Sequence, residues 1–172
     1  IAPHPNYARP VIALFHHLRT PAYLPMRMWE LDLRALLALG EIQLTLQKVG
    51  RAMMINFWHE LLEEFNVKRY RWGAVNGLRR LDVELAVPYV CNIFNWAEVG
   101  HGNRMSLVLE LMNRLKDKQI NPYIALHNAL VIACAENKVS EADIRTLFHS
   151  AGLDDHVDEL LRHVADQRPV QP

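Results

Sequence analysis

The chain has 172 residues, 51% hydrophobic and 22% charged, with 19 Lys and Arg matched by 19 Asp and Glu. That length gives one domain, or one domain with an irregular arm, and enough surface to bury a real core. The composition excludes a disordered chain, no apolar run is long enough to span a membrane, and neither half is basic enough for a whole-domain nucleic-acid footprint.

Residues 1–25 hold five prolines, at Pro3, Pro5, Pro10, Pro21 and Pro25. They predict an extended arm with one short helix over 11–19, since Pro suits a first helical turn and stops a later one. Such an arm either lies on a neighbour in an assembly or folds back onto its own domain. Residues 26–172 read as a single all-α domain, a bundle half over 26–80 and a hairpin-repeat-like half over 81–168. Pro25 can open a helix that Gly40 ends, with Leu31, Ala35, Leu36 and Leu39 on one stripe. Over 42–65, Leu46, Val49, Met53, Phe57, Leu61, Leu62 and Phe65 recur at three- and four-residue steps. Met54 and Trp58 widen that face, so a central, nearly surrounded helix is expected, with Gly50 permitting a close helix contact.

Residues 66–80 read as an irregular, basic middle, because Gly73 and Gly77 weaken a helix there. An apolar pattern resumes over 82–97 and is kinked at Pro88. A helix over 104–118 carries Met105, Val108, Leu109, Met112 and Leu115 on one stripe and Leu107 and Leu111 on a second face. Asn121-Pro122 breaks and restarts the chain. Ser140 and Asp143 have capping-box spacing, and Gly152 is a natural helix stop. A last amphipathic helix places Val157, Leu160, Leu161 and Val164 inward, with Pro169 beyond it.

The Pro88-Tyr89 and Pro122-Tyr123 pairs stand 34 residues apart, a period typical of stacked helical hairpins. The run Leu109–Met112, Leu115–Pro122, His127–Leu130 and Ser140–Ala142 resembles a pentatricopeptide-type helical hairpin, over about residues 105–150. The resemblance implies an α-solenoid that binds single-stranded RNA, roughly one base per repeat. It assigns base reading to Asn128, with Asn92 as the counterpart one repeat earlier. Residues 1–80 show no such repeat.

Charge divides unevenly. Residues 1–80 hold 11 Lys and Arg against 6 Asp and Glu, and residues 81–172 hold 8 against 13. The cluster Lys68, Arg69, Tyr70, Arg71 and Trp72, with Arg79 and Arg80, is the leading candidate for function. Cations interleaved with aromatics suit phosphate contact and base stacking. Arg, Tyr and Trp equally anchor protein interfaces. In a third reading Tyr70 and Trp72 fill the core edge while the charges stay in water.

Metal and catalytic patterns are incomplete. His59 and Glu63, one turn apart, are the nearest approach to a ligand pair, but no third ligand is signposted. His149, His156 and His163 recur every seven residues with Gly152 interrupting them. Cys91 has no oxyanion loop beside it, and Gly100-His101-Gly102 lacks the third glycine of a phosphate loop. Cys91 and Cys134 read as reduced thiols of an intracellular protein. The start at Ile fits a processed product or a fragment. The sequence therefore predicts a non-enzymatic protein–protein interaction or assembly module, a subunit or adaptor that self-associates or holds a protein partner without a cofactor. The alternative is RNA or DNA binding or packaging through residues 68–80.

Overall fold

The computed structural model describes residues 9, 12–13, 29–64 and 68–168. The predicted arm, its helix over 11–19 and the Pro25 start lie outside these residues, apart from Arg9, Ile12 and Ala13, which are helical. The described chain is all-α, with no strand among the described residues. It forms two compact units, Ile1–Leu85 and Ala86–Pro172.

The first unit is built on three helices, α1 (Trp29–Ile42), α2 (Lys48–His59) and α3 (Lys68–Leu81). Gly40 does not end α1, which runs two residues past it before a 3-10 turn over Gln43–Thr45. Arg80 Nη1 lies 3.1 Å from where a Gly40 side chain would begin, so α3 occupies that space. The helix expected over 42–65 is interrupted by extended residues 46–47 and closes in a π turn over Glu60–Glu64. Phe57 and Leu61 are buried as their spacing predicts, and Met54 and Trp58 are fully enclosed. Val49 breaks the expected stripe and is 77% exposed. At Gly50 the three atoms nearest a Cβ all belong to Leu46, of the extended segment before α2.

The basic middle, expected to be irregular, is α3, fourteen residues long. The glycines that weaken it as an isolated helix are the positions at which it packs. A Cβ at Gly77 would lie 2.3 Å from Trp58 Cε2, and one at Gly73 would lie 3.3 Å from Leu36 Cδ1. Burying the Trp58 ring against bare backbone offsets a propensity cost of ~1 kcal/mol per glycine. Gln43 is the one buried polar residue of the described core. Its Nε2 donates to Gly77 O at 2.9 Å, and its Oε1 accepts from Trp58 Nε1 at 2.8 Å. One side chain thus satisfies two groups that burial would otherwise leave costly. Arg51 Nη2 donates to Leu81 O at 2.9 Å, which supplies a partner at the C-terminus of α3.

At the boundary, α4 (Val83–Ala86) leads through a 3-10 turn at Val87–Tyr89 into α5 (Val90–Ile93), so Pro88 does interrupt the helix. The second unit continues with α6 (His101–Asp117), α7 (Pro122–Ala135), α8 (Glu141–Ala151) and α9 (Val157–Gln167). α6 packs on α7 and α8, α9 on α7 and α8, and α5 on α7. Their inward faces are apolar, including Val108, Leu111, Leu126, Leu130, Phe148 and Leu160. The sequence signals for these helix ends hold. Asn121 Oδ1 accepts from Tyr123 N at 3.0 Å with Pro122 in the first turn. Ser140 and Asp143 form the reciprocal capping box, and Gly152 closes α8 at φ +68°.

Candidate binding surfaces

The α1 and α3 faces leave a groove of about 440 Å³. Leu36, Leu37 and Gly40 line one side, and Trp72, Gly73, Asn76, Gly77, Arg79 and Arg80 the other. Its lining is mostly apolar. Leu37 is 70% exposed there, and Trp72 is half-buried. The polar side chains at the rim are braced. Asn76 Nδ2 donates to Trp72 O at 2.8 Å, while Asn76 Oδ1 accepts from Arg79 Nε and Nη2 at 3.2 and 3.0 Å. Arg80 Nη2 donates to Glu41 Oε1 at 2.7 Å.

These contacts sort the basic-aromatic cluster. Trp72, Arg79 and Arg80 meet at the groove. Tyr70 is 1% exposed and belongs to the core, so it offers no ring for stacking. Arg71 is half-buried and Lys68 exposed, and the Arg69 side chain lies outside the described residues. The segment is therefore not a continuous row of cations and free rings. Sequence reasoning missed Leu36, Leu37 and Asn76. The available signal was the Gly73–Gly77 pair at i, i+4, which marks a close-packing face rather than a helix break.

Asn92 and Asn128 are both exposed, on α5 and α7. On α7, Ile124, Asn128 and Ile132 follow at four-residue steps and are all exposed, Ile124 at 74%. His59 Nδ1 lies 3.7 Å from Glu63 Oε1, beside an open depression shared with Asn56 and Glu60. Among the described residues no three His, Cys, Asp or Glu groups are placed to hold a metal ion.

The heptad histidines do not converge either. His149 Nδ1 lies 3.0 Å from Asp154 Oδ1. His156 stacks on Tyr123 at 4.3 Å, and His163 Nδ1 stands 2.7 Å from His127 Nε2. His127 carried no signal by itself. The pattern that held the information was Tyr123 with His127 on one helix, set against the spaced histidines of another. Burial, then the neighbouring Glu159 carboxylate, raises the Tyr123 pKa. Burial first raises Asp143 too, but hydrogen bonds from Ser140 and His101 outweigh it and hold the carboxylate below its usual range. Burial also pushes the Cys134 thiol up. No family model matches the sequence, and neither a curated protein nor a solved structure is similar to it.

Proposed function

We propose that the chain is a non-enzymatic helical module that works by protein contact, as a subunit or adaptor of a larger assembly. The observation that carries this reading is the α1–α3 groove, which exposed Leu37 and half-buried Trp72 both line. An apolar trough edged by aromatic and Arg side chains suits an interface anchor. The rim cations are already engaged by Asn76 and Glu41, which favours a protein surface over a phosphate backbone. Burying one Leu on docking contributes ~1.5–3 kcal/mol. Leu37→Asp and Trp72→Ala are therefore expected to weaken self-association, read by sedimentation over a concentration series, without lowering helicity. Self-association unchanged in both variants counts against the groove. Tight, salt-sensitive binding of a labelled single-stranded RNA or DNA by the parent chain replaces this reading with nucleic-acid binding, through residues 68–80 if substitutions there abolish it.

A separate second reading is single-stranded RNA binding by the second unit. It rests on the resemblance to a pentatricopeptide hairpin and on the exposed Ile124–Asn128–Ile132 stripe, an amide flanked by two apolar side chains on one helix face. Asn128→Ala with Ile124→Ala is expected to weaken RNA binding and leave the melting temperature unchanged. Equal RNA affinity in parent and variant sets it aside.

A further inference from the structure

α7 carries no charge on any side. Its 14 residues include no Asp, Glu, Lys or Arg, whereas every other described helix of eleven or more residues has at least two. A helix that is apolar all round is normally enclosed. α5, α6 and α9 cover part of α7. The face with Ile124, Asn128 and Ile132 stays in water, Ile124 at 74% and Ile132 at 36% exposure, with half-buried Ala125 and Ala129 beside them. Apolar side chains scattered singly over a surface need no partner, but an uncharged helix face is a contact surface in composition.

The α1–α3 groove matches this face in length and in the order of its groups. Trp72, Asn76 and Arg80 line it at four-residue steps along α3, a row of about 12 Å at about 1.5 Å per residue. Ile124, Asn128 and Ile132 make a row of the same length. An asparagine stands midway along each row. A helix laid in the groove with Ile124 and Ile132 toward its two ends therefore brings amide level with amide, whichever way it runs. Asn76 Nδ2 uses one hydrogen on Trp72 O and keeps a second for an acceptor. Because α7 has no ion of its own, its entry buries no unpaired charge. The wider charge pattern agrees. Ile1–Leu85 holds 11 Lys and Arg against 8 Asp and Glu, and Ala86–Pro172 holds 8 against 11. Arg79 and Arg80 stand at the groove, while α9, packed along α7, exposes Asp158, Glu159 and Asp166 against Arg162. The first unit of one copy thus attracts the second unit of another, and like units repel.

Resting on the groove reading above, we propose that the occupant of the α1–α3 groove is the Ile124–Asn128–Ile132 face of α7 from a second copy of this chain. The two surfaces are different patches, so the contact is heterologous. Each docked pair keeps one groove and one α7 face unfilled. Repetition gives an open row of copies, or a ring where the rotation closes.

Mixing two singly blocked variants tests this. Leu37→Asp spoils the groove and Ile124→Asp spoils the α7 face, and both side chains are exposed enough to leave the melting temperature near the parent's. In sedimentation, the mean mass of the parent is expected to rise with concentration. Each variant alone should associate ~10- to 100-fold more weakly, the loss of one buried Leu or Ile. An equimolar mixture of the two should form a one-to-one complex and stop there, since one intact groove meets one intact α7 face. Asn128→Leu adds apolar surface but removes the amide at mid-row, and should weaken assembly. An affinity left unchanged or tightened by it overturns the proposal, as does a mixture or a parent that stays monomeric. Association lost in Leu37→Asp but kept in Ile124→Asp removes α7 as the occupant while the groove reading stands. Association kept in both removes the two together. Tight RNA binding that Ile124→Asp abolishes, in a parent that stays monomeric, gives the α7 face to RNA instead. Where an Asp variant fails to fold, Leu37→Gln or Ile124→Gln takes its place.

Discussion

A methyl group at residue 77 has nowhere to go, since it would stand within 2.3–2.7 Å of three Trp58 ring atoms. Gly77→Ala is therefore expected to destabilise the first unit by ~1–3 kcal/mol, read from denaturant midpoints. Gln43→Leu preserves volume but strips partners from Trp58 Nε1 and Gly77 O, and each orphaned group costs ~1–3 kcal/mol. Phe57→Ala or Leu61→Ala, at 3% and 0% exposure, should each cost ~2–5 kcal/mol. If both melt like the parent, the buried stripe of α2 and its closing π turn has been misassigned. The thiols differ as well. Cys134 is fully buried with a raised pKa, and Cys91 is half-buried, so a thiol reagent should label Cys91 first in the native state. Equal labelling rates would mean that α7 opens as readily as α5.

Among the elements, α8 carries the clearest local program. Its capping box should lose ~1 kcal/mol in Ser140→Ala. Asp143 has a depressed pKa, so its contribution is present above the unfolded value and is lost as pH falls through the folded one. Acid unfolding of the second unit should therefore have a component below about pH 4, the ordinary Asp range, that Asp143→Asn removes. Helix ends such as Asn121-Pro122, Ser140 and Gly152 were legible in the sequence because capping is decided within four residues. The helical state of 68–81 was not. Gly73 and Gly77 count against a helix locally, and their reason lies in Trp58 and Leu36, on two other elements. Val49 was misjudged for a related reason, since spacing alone does not tell a residue that faces a neighbour from one that faces water.

For the whole molecule, all-α architecture follows from helical periodicity that recurs along the chain. Circular dichroism should show a helical spectrum, and one dominated by strand would contradict every described element. The sequence marked a basic first half and an acidic second half but not where a surface forms. The groove needs residues 36–40 and 72–80 side by side, and the ring contacts of the second unit need residues 123 and 127 beside 156 and 163. Such meetings are set by packing between elements, and no short window of sequence contains both partners. The basic-aromatic cluster shows the same limit. Burial divides Tyr70 from Trp72, two residues apart on one helix, into core and groove.

Gln43, Trp58 and Gly77 come from three different elements, yet each is in contact with the other two. Their substitution effects are therefore epistatic. A side chain at residue 77 that is forbidden beside an indole becomes tolerable beside a smaller residue at 58, and the amide at 43 loses half its purpose once the indole is gone. Tolerance at any one of these positions is a property of the trio, so a scan that changes them singly will overstate how rigid each one is.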